Sequence, residues 1–250
     1  MVTMDMDGIF TMLFSAGLGV FISYVFFCEP HIPPPQWSPL NPATVGKMCS
    51  ARRSIFPKDF QKNAQIPREA VLRALEAANW APTHGKTEPW RFVVFEGAAG
   101  VEKFLAMKRS AIEVQTDLSD AKREAMRAKA SRKEKELRKC AYIIAVCVKR
   151  LKTSGGELMP MWEEIAATSC AVQNLHLALW AEKAYGYWSS GGYKGWLDVP
   201  SVRALLKMDG TCDGEADDVL GFFFVGAATD ETVSGYRAKR GPIADKLTWY

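Results

Sequence analysis

The segment that most constrains this chain is the polar loop APTHGKTEPWRF at residues 81–92, which separates a helical pattern from a strand-like one. Upstream, from Ile66, apolar residues recur at spacings of three and four, which predicts a helix. That helix should end before Pro82, because proline disfavours helical geometry in the residue that precedes it. Downstream, residues 92–95 (FVVF) are typical of a short buried strand. The loop therefore presents polar side chains, His84 among them, between a helix and a strand of the core.

A second polar motif, Arg52-Arg53-Ser54, stands about thirty residues before His84. Guanidinium groups bind phosphate oxygens through paired N–H donors, and a nearby hydroxyl or backbone donor completes such a site. A basic pair carries little information alone, so the motif predicts an anion site only together with the His84 loop. A glycine-rich dinucleotide loop is not present in the sequence.

In this order, Arg-Arg-Ser, Ala-Pro-x-His-Gly and Pro-Trp-Arg-Phe resemble the opening of the nitroreductase family of flavoenzymes. Further along, residues 173–175 (QNL), 187–191 (YWSSG) and 239–242 (KRGP) resemble that family's central helix, flavin-facing turn and closing basic residue. The resemblance covers residues 47–250. It implies an α+β fold, a sandwich of a mainly antiparallel sheet with flanking helices. The irregular alternation of helix and strand patterns agrees with this fold better than with a doubly wound sheet.

The resemblance also implies an FMN site at the subunit interface of a homodimer. Arg52, Arg53 and Ser54 would grip the phosphate and the ribityl chain of FMN. By the same resemblance, His84 and Glu88 would reach a flavin that is bound mainly by the other subunit. These five residues therefore define two halves of one predicted site.

Contacts to the edge of the flavin ring are implied at Trp188, Ser189 and Ser190, in a turn small enough for backbone N–H groups to approach closely. Arg240 would close over the phosphate, with the neighbouring basic residues at 237 and 239 as alternatives. The chain departs from the family in two respects. Ser189 stands where a larger or basic residue is expected, and no basic residue is identified for the N1–C2 edge of the flavin.

The implied function is that of an FMN-dependent NAD(P)H oxidoreductase. NADH or NADPH would deliver hydride to flavin N5, and a nitroaromatic, quinone-like or related acceptor would then be reduced in the same pocket. The cysteines show no CxxC pair and no zinc-type spacing with histidine, so neither a metal site nor a protein nucleophile is predicted. One alternative is another flavin reaction, such as reductive dehalogenation. The other is a non-catalytic flavin-binding or interaction protein.

Residues 8–28 (GIFTMLFSAGLGVFISYVFFC) contain no charge, and roughly 20 apolar residues suffice to cross a bilayer. Apolar residues on every face favour a membrane anchor over a buried core helix, and the missing positive n-region argues against a signal peptide. Lys47, Arg52 and Arg53 follow the segment and none precedes it, which predicts a single-pass membrane protein whose main domain faces the cytoplasm. An organellar membrane is the alternative location.

The predicted domain organisation has three parts: a membrane anchor at residues 1–28, a proline-rich linker at 29–46 and a flavin-binding domain at 47–250. Prolines at 30, 33, 34, 35, 39 and 42 remove backbone donors and fix φ, so the linker is expected to be extended. The chain has 250 residues, of which 48% are hydrophobic, enough for one substantial core with additions.

Within the main domain, the apolar periodicity predicts an ordered series of elements. These are helices at 66–80, 101–108, 118–139, 162–183 and 199–206, strands at 91–96, 141–148 and 219–225, and a sharp turn at 185–192. The helix at 118–139 carries nine Lys or Arg against three Glu between residues 122 and 139. It lacks interleaved aromatic residues, so we interpret it as a solvated, mobile helix and predict no nucleic-acid partner. The resemblance to the nitroreductase family implies that a lid over the cofactor cleft would fall at this place.

Overall fold

The structure is a computed structural model that describes residues 3–4, 10–11, 41–116, 118–192 and 194–250. The chain divides into two compact units, Met1–Val45 and Gly46–Tyr250. In the first unit, strand β1 (Thr3–Met4) pairs antiparallel with strand β2 (Phe10–Thr11).

The remaining elements follow in an irregular order of helices and strands. The helices are α1 (Pro42–Ala51), α2 (Arg68–Asn79), α3 (Gly97–Val114), α4 (Asp120–Leu137), α5 (Met161–Ala181), α6 (Pro200–Leu205) and α7 (Asp230–Gly235). The strands are β3 (Trp90–Glu96), β4 (Tyr142–Val148), β5 (Tyr185–Ser189), β6 (Thr211–Cys212), β7 (Glu215–Ala216) and β8 (Asp218–Gly226). Short 3₁₀ helices lie at Pro57–Asp59, Lys194–Trp196 and Ile243–Lys246.

Within the described residues, a four-stranded sheet in the order β3-β4-β8-β5 forms the centre of the second unit, and all three pairings are antiparallel. β3 and β4 pair from Trp90 opposite Val148 to Glu96 opposite Tyr142. β5 is the strand at the other edge of the sheet, and its last residue, Ser189, lies opposite Phe222 of β8. The prediction of an α+β fold with a mainly antiparallel sheet and flanking helices is therefore confirmed.

The sheet is covered on both faces, and its strands alternate between two apolar clusters. On one face Ile143 of β4 and Phe222 of β8 pack with Phe104 of α3. On the other face Ile144 and Phe223 pack in a cluster to which α2 and α5 contribute. Every residue of β4 is buried, because both of its faces and both of its edges are covered. A strand buried in this way needs a continuous apolar run, which is what the sequence at 141–148 provides.

Most predicted elements form close to their expected limits, but two differ. Residues 185–189, predicted as part of a sharp turn, form β5, and the turn begins only after Ser189. The backbone of β5 pairs with β8, an interaction that a local reading of a glycine- and serine-containing segment does not reveal. Helix α3 spans residues 97–114, whereas apolar periodicity predicted only 101–108. Its extra turns include Gly97 and Gly100, which weaken the local helical signal.

The predicted membrane location is wrong. Of the predicted span 8–28, the structure describes Phe10 and Thr11, which form strand β2 and not a helix, and the rest of the span lies outside the described residues. In the described part of the chain, no helix combines the length and the apolar character needed to cross a bilayer. The prediction relied on the mean hydropathy of a run of residues, which carries no information about whether those residues pair as strands. The predicted linker at 29–46 lies outside the described residues up to residue 40, and Pro42 begins α1.

Replacing Gly186 with alanine should destabilise the second unit. A Cβ at this position would lie 2.1 Å from Cε1 of Phe223 and 2.9 Å from the carbonyl oxygen of Phe224, so the core must shift. We expect a loss of about 2 kcal/mol or more in the free energy of unfolding, measured by urea denaturation.

Gly46→Ala is the matched control for this substitution. Gly46 lies inside α1, and a Cβ there meets no atom within 4 Å. Helix propensity then predicts a gain of up to about 1 kcal/mol. Equal stability of Gly186→Ala and the native chain would show that the close approach of the backbone to Phe223 is not required.

Candidate functional site

The Arg52-Arg53-Ser54 motif is fixed along the start of β5. Ser54 forms a parallel bridge with Gly186, and the backbone N–H of Ile55 donates to the carbonyl of Gly186 over 3.1 Å. Ile55 is fully buried, so it anchors the motif in the core. The two arginines, which lie between α1 and this anchor, are only half-buried and can present their guanidinium groups at the surface.

Arg52 has an environment that disfavours its own charge. Its Nη1 lies 3.3 Å from Nδ1 of His176, while its Nε is buried and has no hydrogen-bond partner. Burial lowers the pKa of Arg52, and the positive charges of Arg240 and Arg53 lower that pKa further. The charges of two further guanidinium groups therefore act on that of Arg52. A bound anion would relieve this repulsion and satisfy the unpaired donor.

The partner of Arg52, His176, lies on the buried face of α5. Its Nε2 is 3.2 Å from the carbonyl oxygen of Arg53, and its ring meets Phe223 edge-on at 4.9 Å. Burial first, and the charge of Arg52 second, lower the pKa of His176 to about 4. The imidazole is therefore neutral at pH 7. It accepts at Nδ1, because a guanidinium only donates, and it donates from Nε2, because a carbonyl only accepts.

The sequence reading did not identify His176. The signal available was a single histidine within the apolar face of a predicted helix, and such a histidine most often satisfies a core contact. Its two partners, Arg52 and Arg53, precede it by more than 120 positions. No local pattern connects residues at this separation.

Tyr236 fixes the start of the C-terminal tail beside the motif. Its carbonyl accepts from Nε of Arg53 at 3.3 Å, and its hydroxyl donates to Asp59 and accepts from the backbone N–H of Phe56. Burial and the hydrogen bond to Asp59 raise the pKa of Tyr236. Arg240 follows four residues later, and its charge acts on Arg52. Arg240 is exposed, and its own guanidinium donates to the carbonyl of Lys239.

The predicted flavin-facing turn follows β5. The backbone N–H of Gly191 donates to Oγ of Ser189 over 3.3 Å, which closes the turn. Gly221 lets the turn approach β8, since its φ is +127° and a Cβ there would lie 2.1 Å from the carbonyl oxygen of Ser189. Ser190 is exposed. The indole Nε1 of Trp188 is buried without a hydrogen-bond partner, which is a second unpaired donor in this region.

The His84 loop is attached to the first turn of α5. Nδ1 of His84 lies 2.5 Å from a carboxylate oxygen of Glu163, and Oγ1 of Thr87 donates to Glu164 over 3.1 Å. Burial raises the pKa of Glu164, and the hydrogen bond from Thr87 opposes that shift. His84 and Glu88 are both exposed.

The backbone of this loop adopts an uncommon conformation. Gly85, Lys86 and Glu88 all have positive φ, at 60°, 55° and 45°. Glycine reaches this region without steric cost, but lysine and glutamate do not. Such strain persists only where neighbouring structure imposes it, and it is concentrated at functional sites. The attachment of the loop to Glu163 and Glu164 supplies that constraint here.

The two groups of predicted site residues occupy different parts of α5. His84 contacts residue 163 and Arg52 contacts residue 176, so their anchor points are separated by roughly 20 Å of helix at 1.5 Å per residue. The charge of Arg240 therefore acts on Arg52, beside Arg53, and Ser54 is bridged to β5, which contains Trp188 and Ser189 and leads to the turn that begins at Ser190. The structure does not bring His84 and Glu88 to the arginines within one chain.

Comparison with known proteins identifies the class to which this chain belongs. A sequence profile of the nitroreductase family matches residues 49–227, so the chain is a member of the nitroreductase family. The chain is 28% identical to "Putative NAD(P)H nitroreductase YdjA" of Escherichia coli (strain K12) over 162 residues, which cover 63% of this chain and 75% of that protein.

Two solved structures share the fold. A nitroreductase-like family protein from Bacillus cereus superposes with a TM-score of 0.62 at 20% identity, covering 82% of this chain and 95% of that chain. A nitroreductase with bound FMN from Bacteroides fragilis superposes with a TM-score of 0.57 at 21% identity, covering 82% and 98%. The family resemblance stated from the sequence is thereby confirmed.

Acidification should destabilise the fold through His176. Its pKa is about 4 in the folded chain against an ordinary value of 6.5, so between these values the folded chain binds fewer protons than the unfolded one. The stability that the neutral ring contributes is complete above pH 6.5 and is lost as the pH falls through 4. We expect the stability advantage of the native chain over His176→Asn to shrink by about 2 kcal/mol between pH 7 and 4.5.

Urea denaturation at a series of pH values measures this difference. Other titrating groups act equally on both chains, so the comparison isolates His176. Parallel pH profiles for the two chains would contradict a buried neutral imidazole.

Proposed function

We propose that this chain is an FMN-dependent NAD(P)H oxidoreductase in which Arg52, Arg53 and Arg240 bind the phosphate of FMN. The observation that carries the proposal is the buried, unpaired Nε of Arg52 beside two further guanidinium groups. Phosphate esters carry the charge and the paired oxygen acceptors that such a group of donors requires. Family membership supports FMN as the phosphate ester.

The remaining residues of the site suit the other parts of FMN. The Ser54 hydroxyl stands next to the arginines, where it would bind the ribityl chain or the phosphate. The indole N–H of Trp188 is buried and has no acceptor within the described part of the chain. A carbonyl oxygen at the edge of the flavin ring would accept its hydrogen bond. Ser189 and Ser190 follow Trp188 directly, and we expect backbone N–H groups of the turn that starts there to approach the ring edge. The set of donors therefore fits an anionic, oxygen-rich cofactor.

When bound, FMN would supply an N5 atom that accepts and donates hydride, so that reducing equivalents pass from NADH or NADPH to an electron acceptor. We propose nitroaromatic, quinone-like or related compounds as the acceptor class. The protein's own residues bind and orient the cofactor. Arg52, Arg53 and Arg240 hold its charged end, and Trp188 with the turn that follows orients its ring.

We also propose that the active form is a homodimer in which His84 and Glu88 of each chain contribute to the site of the other. The family resemblance supports this arrangement, and the roughly 20 Å between the two anchor points on α5 separates His84 from the arginines of its own chain. An exposed stripe of α5, with Trp162, Ala166 and Cys170 at spacings of four, offers a surface for the contact. A twofold axis would use this stripe in both subunits.

The first test is the visible spectrum of the purified chain supplied with FMN, recorded before and after anaerobic addition of NADH or NADPH. We expect a bound flavin spectrum that bleaches when the nicotinamide is added. A chain that retains no FMN, or holds FMN that neither nicotinamide reduces, would refute the oxidoreductase and favour a non-catalytic protein of the same fold.

Arg52→Ala should weaken FMN binding without affecting riboflavin, which lacks the phosphate. Loss of a charge-assisted contact to phosphate is expected to lower FMN affinity about tenfold to a hundredfold. Titration of each flavin into the apoprotein, followed by flavin fluorescence, measures both affinities. The matched control is Arg73→Ala, since Arg73 is an exposed arginine paired with Glu182 on the surface. A parallel fall in riboflavin affinity would contradict a phosphate contact.

Subunit exchange should show whether His84 acts across the dimer. Arg52→Ala and His84→Ala are each expected to lower activity, but a mixed dimer of the two contains one intact site. Random reassociation after joint unfolding should restore about one quarter of native activity, because half of the dimers are mixed and each has one intact site of two. Steady-state rates with NAD(P)H measure the recovery. Activity that stays at the average of the two variants would place His84 in the same site as Arg52 of its own chain.

A further inference from the structure

We propose that His176 is a positioning residue for phosphate recognition, which holds the Arg52 guanidinium with its free edge toward the bound anion. This inference rests on the proposed function of Arg52 in binding FMN. His176 does not contact the cofactor in this proposal. It acts on the cofactor through Arg52.

The geometry connects both arginines of the motif to a single ring. Nδ1 of His176 accepts a hydrogen bond from Nη1 of Arg52 over 3.3 Å, and Nε2 lies 3.2 Å from the backbone carbonyl oxygen of Arg53. The first contact fixes a side chain, and the second fixes the backbone from which the other guanidinium extends. One imidazole thus sets the relative placement of two phosphate-binding groups.

The ring itself has little freedom. His176 is only 6% exposed, it lies on the long helix α5, and it packs edge-on against Phe223 of the central sheet. A long arginine side chain would otherwise sample several rotamers, and ordering it on binding would reduce affinity. Contact with a buried ring fixes the guanidinium before the anion arrives.

The chemical identity of the partner matters as much as its rigidity. A carboxylate at this position would also hold Arg52, but its negative charge would cancel the positive charge that the phosphate requires. The neutral imidazole accepts one hydrogen bond and leaves the full charge of Arg52 available. It occupies only one of the five guanidinium N–H groups, and the buried Nε remains unpaired.

Two substitutions separate positioning from structural support. His176→Phe keeps an aromatic ring against Phe223 but removes the acceptor for Arg52. His176→Asn removes the ring but places an amide oxygen at about the depth of Nδ1, where it can still accept from Arg52. A purely structural role predicts that the asparagine variant is the more damaged of the two in both stability and flavin binding.

Flavin affinity of the full-length apoprotein should instead follow the acceptor. We expect His176→Phe to bind FMN about tenfold more weakly than the native chain with riboflavin affinity unchanged, because only FMN carries the phosphate. His176→Asn should keep most of the preference for FMN although it unfolds at a lower temperature. Fluorescence titration with the two flavins and thermal denaturation of each variant measure these effects.

The outcomes distinguish this inference from the function on which it rests. A native chain that binds FMN and riboflavin equally would overturn the phosphate grip, and the role of His176 with it. A native preference for FMN that survives in His176→Phe would overturn the positioning role alone. Equal loss of FMN and riboflavin affinity in His176→Phe would also overturn it, because that result indicates general damage to the site.

Discussion

The burial of the central sheet on both faces is the constraint on which the rest of this structure depends. β4 and β8 exchange their backbone hydrogen bonds in the middle of the sheet, and their side chains alternate between two apolar clusters. Both faces must then be covered by helices, which requires long elements with broad apolar surfaces. α5 covers one face, and polar residues on its buried side need partners from other segments. The positions of those partners determine where the site forms.

Two buried polar residues of α5 illustrate this requirement. Glu164 receives a hydrogen bond from Thr87, and His176 meets Arg52 and the backbone of Arg53. Leaving either residue unpaired in the core would cost roughly 1–3 kcal/mol, so each contact stabilises the fold while it fixes a segment of the site. The same helix therefore organises the strained His84 loop at its start and the arginine motif further along. Stability and site geometry depend on the same hydrogen bonds.

The sequence predicted those parts of the structure whose signals are local. α2 has apolar periodicity and flanking prolines, and β4 has a continuous apolar run, so both form close to their predicted limits. β5 is a strand only because β8 lies beside it, and residues 10 and 11 belong to a strand although hydropathy placed them in a membrane helix. The arginine motif was recognisable from its order relative to the His84 loop. The role of His176 was not recognisable, because it depends on contacts with residues 123 and 124 positions earlier in the chain.

The two ends of the site differ in charge, and this difference fits the chemistry of the proposed cofactor. At one end a neutral imidazole contacts the side chain of Arg52 and the backbone of Arg53, the charge of Arg240 acts on Arg52, and the described contacts of Arg52 include no carboxylate. At the other end His84 faces the carboxylate of Glu163, in the acidic first turn of α5. A phosphate is stabilised by the first environment and repelled by the second, whereas an uncharged ring tolerates either. The charge pattern along α5 therefore assigns the phosphate to the arginine end and leaves only the uncharged part of a cofactor for the acidic end. In a homodimer, the carboxylate-bearing end of one subunit would meet only the ring of the cofactor held by its partner.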